Sequence, residues 1–338
     1  MPAISAPAKI LVTGASGYVG AWVVKVLVDR GYSVLATTRY KEEGEFLVRR
    51  FPSYKGKVEY TIIPDIQKAG AFDEAVRHVE GIVHCATPVR FTFKDHKEIL
   101  GPAIRGTIGL LESASKYGAN IRRIIFSSTA MAVYSGGAIP PVVFDERIYN
   151  EYVAAHVREN GRRSNPYAVY VASKLLAEQA AWKWMEEKRP SFDFVSALST
   201  WNWGPFINNI PSADHLSSSL QILYDVLATG DDSGELVGDF VDVRDSALLH
   251  VLSLETQAAG GERVIFTSES FSWQEMLDAM HDAGVPHIPN KGTYGQYYKD
   301  DIRYSNSKSL RLFPGFRYRN LKESAQDTGR AFNAASFL

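Results

Sequence analysis

"LVTGASGYVG", residues 11–20, runs from apolar side chains straight into glycines spaced three apart, Gly14, Gly17 and Gly20. An apolar strand that opens onto bare backbone and continues into the amphipathic stretch 19–30 reads as strand, turn and helix. In such a unit the first glycine permits a tight turn and the second lets backbone approach a pyrophosphate. The third lets helix and strand pack closely, and the helix N-terminus faces the negative charge. The spacing G-x-x-G-x-x-G differs from G-x-G-x-x-G, and glycines alone would also suit a plain tight turn. The flanking strand and helix favour a bound dinucleotide.

Working outward, short apolar runs at 9–13, 33–38, 58–63, 81–86, 122–127 and 192–198 alternate with longer amphipathic stretches, notably 97–116 and 165–187. Strands alternating with helices imply βαβ units. The expected fold class is α/β, a doubly wound parallel sheet of Rossmann type with a smaller, sequence-discontinuous substrate lobe. Beyond Trp203 the rhythm loosens into Pro-, Asn- and Ser-rich sequence, and 238–254 and 263–267 read as returns to the main fold. The expected domains are residues 1–200 with 238–268 for NADP binding, and 201–237 with 269–338 for substrate. There are no internal repeats or low-complexity segments.

The 338 residues are 45% hydrophobic and 22% charged, ordinary for a globular protein with a sizeable core. A formal net charge of −1 makes nucleic acid and anionic membrane poor primary partners. One cysteine, Cys85, excludes an intramolecular disulfide framework and fits a reducing compartment. No apolar run approaches the roughly 18 residues of a membrane span. The first strand begins too early for a signal peptide to be expected, so a cytoplasmic enzyme is the default.

A carboxylate ending the second strand would bind an adenosine ribose 2′-hydroxyl and repel a 2′-phosphate. Here that strand ends "ATTRYKEE", with Arg39 at the expected place, Lys41 beyond it, and Glu42 and Glu43 late. Arg39 can meet a phosphate bidentately or stack on adenine, or it can be part of a solvated basic loop. The reading favours NADPH/NADP+ over NAD(H). Asp65, closing "YTIIPDI", suits either an adenine contact or a helix cap.

"YVASK" sets Tyr170 and Lys174 four apart, a helical turn from each other. A neighbouring ammonium stabilises a phenolate and brings tyrosine toward the range useful for proton transfer. The spacing recurs at Tyr304/Lys308 and Tyr318/Lys322, which read as exposed helix outside the cofactor sheet. Tyr170 differs because its helix follows a strand ending in the hydroxyl cluster "FSSTA", at the sheet edge where ligands bind.

"TGASGYVG", "FSSTA" and "YVASK", in that order, resemble the extended short-chain dehydrogenase/reductases. More narrowly, "RRIIFSSTAMAVY", "YVASKLLAEQAAWKWMEE", "FVDVRDSALLH" and "FRYRNLKES" resemble the dihydroflavonol and cinnamoyl-CoA reductase subgroup. They look like those of its fungal members, the NADPH-dependent methylglyoxal, 3-methylbutanal and aldehyde/ketone reductases. The likeness covers nearly the whole chain. It implies a hydroxyl–tyrosine–lysine triad in which Tyr170 and Lys174 fit directly. Aligned through "RRIIF", the family's catalytic serine falls on Thr129, which offers the same hydroxyl with a stiffer χ1, and Ser128 is the reserve. A second departure follows the sixth strand, where Ser199 stands at the family's proline; the nicotinamide contact is then expected to pass to Ser199 and Thr200. The expected cofactor site comprises Gly14, Ser16, Gly17, Tyr18, Val19, Gly20, Arg39, Lys41, Asp65, Ile66, Ala86, Thr87, Tyr170, Lys174, Ser199 and Thr200.

Aromatics after the fourth and sixth strands, Phe91, Phe93, Trp201, Trp203 and Phe206, suit an aryl or branched alkyl carbonyl pocket, or simply the lobe's core. Arg90 could bind a substrate carboxylate but equally suits a solvated surface. Asp242 and Asp245 read as caps paired with Arg244, His84 as a satisfied core histidine, and Cys85 as inert. No cluster has metal-site spacing. The Ala-rich face of 165–187 suits packing within a monomer or across a homodimer. The leading expectation is an NADPH-dependent carbonyl reductase with a small-molecule carbonyl substrate. Its rivals are a sugar-nucleotide epimerase/dehydratase, which would hold its cofactor without net turnover, and a non-catalytic NADP-sensing regulator.

Overall fold

The computed structural model describes residues 4–87, 93–134, 139–229, 237–288, 293–297 and 301–337. The elements run β1 (Lys9–Thr13), α1 (Tyr18–Asp29), β2 (Ser33–Thr38), α2 (Lys41–Arg50), β3 (Val58–Ile62), β4 (Gly81–His84), α3 (Lys97–Tyr117) and β5 (Arg123–Thr129). They continue with β6 (Val142–Phe144), α4 (Glu151–Asn160), α5 (Pro166–Lys188), β7 (Asp193–Ser199), β8 (Trp201–Trp203), α6 (Ser218–Thr229), β9 (Val237–Asp242) and α7 (Val243–Glu255). The last are β10 (Arg263–Phe266), β11 (Glu269–Ser272), α8 (Trp273–Asp282), β12 (Ile302–Tyr304), α9 (Ser307–Leu312) and α10 (Leu321–Ala334).

Seven parallel strands form the main sheet in the order β10-β7-β5-β4-β1-β2-β3. Its strands are apolar on both faces because both are covered. In β1, Ile10 and Val12 join α1 and α7 on one face, while Leu11 joins α3 and α5 on the other. In β5, Ile125 and the Ile124/Phe126 pair divide in the same way. The Ala-rich face of α5 packs within the chain, with Ala177 and Ala181 fully buried in that second layer. The chain order reverses at β1, which lies between β2 and β4, so the crevice of the doubly wound sheet opens beside the glycine turn.

The smaller lobe carries a three-stranded sheet, β11-β9-β8, and a two-stranded parallel pair, β12-β6. This departs from the sequence reading, which gave β6 to the cofactor domain and residues 238–242 to the main fold. Residues 238–242 belong to β9 in the small sheet, and only α7, which packs on α1, returns to the main layer. A lobe core of Trp203, Phe240, Phe271, Trp273 and Phe332 backs the small sheet.

At the base of the main sheet Arg123 is fully buried. It pairs with Asp193 through Nε and Nη2 at 2.6 and 2.8 Å and donates to the carbonyls of Ser253 and Thr256 at the end of α7. One guanidinium thus joins β5, β7 and the orphan carbonyls of a helix C-terminus. Replacing it by an apolar side chain strands a carboxylate and several carbonyls. Arg123→Met is expected to lose about 3–5 kcal/mol of unfolding free energy, measured by urea denaturation.

Candidate active site

Gly14 takes φ +64°, and a Cβ there would stand 2.8 Å from the Ala86 amide nitrogen, so the β1 turn rests directly on the backbone leaving β4. A Cβ on Gly20 would stand 2.2 Å from the Gly14 carbonyl oxygen. α1 therefore begins in contact with the strand it follows, which only glycine permits. Gly17 is the N-cap of α1, with no side-chain cap and no acid in the first turn. The turn's leading N–H groups are thus left for an anion, and the cradle fits a pyrophosphate.

The turn is also held from behind. Thr13 Oγ1 accepts from the Ala86 N–H at 3.1 Å and meets His84 Nδ1 at 2.7 Å, while His84 Nε2 meets Thr107 Oγ1 at 3.3 Å. With its hydroxyl proton given to Nδ1, Thr13 leaves the Nε2 proton for Thr107, whose own hydroxyl donates to the Ala103 carbonyl. His84 is neutral and satisfied; burial first and the Lys174 charge second bring its pKa down to about 3.

Other residues of the expected cofactor site are distributed unevenly. Ser16 is half-exposed and donates to Glu43 Oε2 at 3.3 Å. Arg39 is exposed at the end of β2, whereas Lys41 is drawn off to Glu45 at 3.5 Å. Asp65 is exposed, its Oδ1 accepting from the Gln67 N–H at 2.9 Å, so it caps a turn. Ile66 packs toward α3 at Gly106. Tyr18 faces the glycine turn with its backbone alone. Its side chain is buried in the smaller lobe and its hydroxyl donates to the Gly204 carbonyl at 2.7 Å, so only its backbone is available to a cofactor. Val19 bridges the two cores. Ser199 Oγ is paired with Ser246 Oγ at 3.0 Å, and Thr200 donates to the Phe266 carbonyl at 3.2 Å through Oγ1. Both hydroxyls are therefore turned to protein. Thr87 is half-buried just beyond β4.

α5 is set by Asn165, whose side chain accepts from the Tyr167 N–H at 2.8 Å, and by Pro166 in its first turn. Lys174 is 5% exposed; its Nζ donates to the Ser127 carbonyl at 2.7 Å and lies 5.4 Å from the Phe126 ring centre. Burial brings its pKa down to about 8 against the opposing pull of Cys85 and Glu178. Tyr170, one turn earlier, is half-buried, and burial pushes its phenol well above the ordinary value, with Tyr167 adding to the rise. The expectation that Lys174 acidifies Tyr170 is therefore not met. Both groups are desolvated, and the ammonium donates to the Ser127 carbonyl.

Successive residues at the end of β5 face opposite ways. Ser128 Oγ donates to Glu178 Oε2 at 2.7 Å, and Glu178 Oε1 accepts from Arg263 Nε at 2.6 Å, all three buried. Thr129 faces away from that network and accepts only the Met131 N–H, at 3.3 Å, among the described residues. Of the two buried hydroxyls, only Thr129 keeps its proton uncommitted among the described residues.

The expected substrate aromatics separate sharply. Arg90 and Phe91 lie outside the described residues. Phe93 packs on the same cluster as Tyr170. Trp203 is fully buried between Phe240, Phe271 and Trp273, with ring centres at 5.7, 4.3 and 5.6 Å, and is core rather than pocket. Phe206 packs against Phe332 and Phe337, and Trp201 against Trp203, so they also serve the lobe's core. Tyr170 instead stacks obliquely on Tyr167, ring centres 6.4 Å apart, and shares its hydrophobic cluster with Tyr134, Met131 and Tyr304, residues the sequence did not suggest. Tyr304 is on a strand, not an exposed helix, and its hydroxyl meets Met131 Sδ at 3.1 Å. Tyr318 likewise is no exposed-helix residue, its hydroxyl pairing with Ser309 at 2.7 Å.

Asp242 caps α7 and pairs with Arg244 as expected, but Asp245 binds Arg319 instead, tying α7 to the C-terminal segment. Burial pushes the Cys85 thiol up to about 12, which leaves it unreactive. Among the described residues no cluster of three metal-ligating side chains occurs, and no helix is long and apolar enough to cross a membrane.

The model of the "NAD dependent epimerase/dehydratase family" matches residues 10–267. The chain is 30% identical over 339 residues to the ketoreductase azaE of Aspergillus niger, covering 94% of this chain and 96% of the relative. It is 28% identical over 338 residues to the Saccharomyces cerevisiae NADPH-dependent methylglyoxal reductase GRE2, covering 95% and 96%. The crystal structure of yeast methylglyoxal/isovaleraldehyde reductase Gre2 complexed with NADPH superposes with a TM-score of 0.84 at 27% identity, covering 98% of this chain and all of that one.

The depressed Lys174 has a stability consequence whose sign is fixed. Between about 8 and its ordinary 10.5 the unfolded chain binds this proton and the folded chain does not. Unfolding free energy therefore gains with rising pH through that window. The gain is expected in the nucleotide-free protein and absent from Lys174→Met, compared by urea denaturation at the two ends of the range.

Proposed function

The chain belongs to the NAD dependent epimerase/dehydratase family, and on that premise we propose that it is an NADPH-dependent reductase of aldehydes or ketones, giving alcohols. The observation that carries this reading is Tyr170, one helical turn from the buried Lys174, whose Nζ is bonded to the Ser127 carbonyl in the carboxyl-terminal half of β5. When bound, NADPH supplies a hydride to the carbonyl carbon. Gly14, Gly17 and Gly20, with the backbone N–H groups opening α1, hold the pyrophosphate, and Arg39 meets the 2′-phosphate.

The phenol is the acid. Tyr170 Oη gives its proton to the carbonyl oxygen as negative charge develops there. Thr129 Oγ1 donates a hydrogen bond to the same oxygen. Lys174 places a cation one helical turn from the phenolate left behind, while its bond to the Ser127 carbonyl fixes where that charge sits. Phe93, Tyr134, Tyr167, Met131 and Tyr304 belong to the same hydrophobic cluster as Tyr170, apolar and aromatic surroundings that favour aryl or branched alkyl carbonyls. A single cysteine suits a reducing compartment such as the cytoplasm, where the enzyme acts as a monomer or homodimer.

The test follows NADPH absorbance with a panel of aromatic and aliphatic carbonyls. Steady consumption is the expected result, whereas an epimerase would hold its cofactor without net turnover. Tyr170→Phe should lower kcat by about 10²–10⁴-fold while leaving NADPH affinity close to that of the unmodified protein. Thr129→Val should cost about 10²-fold, and Ser128→Ala should remain within a few-fold of the parent. Retention of most activity by Tyr170→Phe would remove the phenol from its role.

A further inference from the structure

We infer that Glu43 sets the nucleotide preference, its carboxylate competing with the adenosine 2′-phosphate for the donors at the end of β2 and so narrowing the advantage of NADPH over NADH. The inference rests on the reductase reading and concerns which cofactor that site prefers. Three donors converge on one oxygen, Glu43 Oε2: the Arg39 N–H at 3.0 Å, the Tyr40 N–H at 3.4 Å and the Ser16 hydroxyl at 3.3 Å. Arg39 and Tyr40 leave the second strand, and Ser16 belongs to the glycine turn, 27 residues earlier. The carboxylate therefore spans the gap between the pyrophosphate turn and the strand end, where a Rossmann fold handles the adenosine ribose.

A purely structural role accounts for only part of this. Glu43 is the third residue of α2 and returns to the N-cap amide of Tyr40, as a capping-box glutamate does. That bond is the longest of the three. The shortest goes past the cap to Arg39, and the remaining one leaves the helix altogether. Backbone amides and a hydroxyl beside a guanidinium are also the donors a phosphate takes. Arg39 is exposed, and its guanidinium pairs with none of the described residues, while Lys41 is held by Glu45. Among the described residues the seat thus offers an unpaired guanidinium and a resident carboxylate. The cation favours a 2′-phosphate. The carboxylate repels it and can accept from a 2′-hydroxyl instead.

Glutamine preserves a capping box without the charge, so Glu43→Gln isolates the electrostatic part. Isothermal titration of the full chain with 2′,5′-ADP and with 5′-AMP reads the preference without catalysis. Glu43→Gln should bind 2′,5′-ADP about tenfold more tightly at low salt, with 5′-AMP unchanged or weaker, and the gain should shrink as salt is raised. Glu43→Ala, which loses the cap and some thermal stability, should show the same change in ratio. An unchanged or reduced ratio of the two affinities in both variants overturns the inference while leaving the reductase reading intact. Failure of the parent protein to bind either nucleotide overturns both.

Discussion

The contact on which the rest of the structure depends is one between main chains. The Gly14 turn lies against the backbone at Ala86, and Gly20 lies against the Gly14 carbonyl, at separations that leave no room for a side-chain carbon. These contacts bring the end of β1, the start of α1 and the exit of β4 to a single point. That point is where the strand order reverses and the crevice opens. The Thr13–His84–Thr107 relay fixes the same point from within the sheet, using a histidine whose burial keeps it uncharged. Phosphate binding by backbone needs such rigidity, because its donors cannot be re-aimed once a ligand arrives.

A second constraint fixes the chemistry. Lys174 and Glu178 lie one turn apart on α5, both buried, and each grips a different atom at the end of β5: the Ser127 carbonyl and the Ser128 hydroxyl. Arg263 completes the set by neutralising Glu178. Two buried charges of opposite sign on one helix face thus dock α5 against the strand that carries Thr129. Burying Lys174 is costly, and that desolvation is the first cause that brings its pKa down.

Much of this was legible in the sequence. The short apolar runs between amphipathic stretches fall within a residue or two of the main strands. The glycine turn announced the dinucleotide crevice, and the context of "YVASK" separated one Tyr/Lys pair from two others. The failures share a cause. Tyr170 was expected to be acidified because spacing reveals a neighbouring ammonium but not the desolvation of both groups. Trp203 and Phe206 looked like pocket because they follow a strand, yet pairing of β8 with β9 turns them into the smaller lobe. Tyr304 looked incidental because its partner strand, β6, lies far away in the chain and carries no local signal.

The sequence by itself determined the strand and helix succession, the crevice at β1 and the residue types available for proton transfer, since these follow from periodicity and from backbone freedom at glycine. Only the tertiary structure decided which hydroxyl of "FSSTA" keeps its proton uncommitted, which aromatics share a cluster with Tyr170 and where the Glu43 carboxylate lies. Those outcomes depend on which distant groups meet, and on how much water they lose when they do. Neither is written in the order of neighbouring residues.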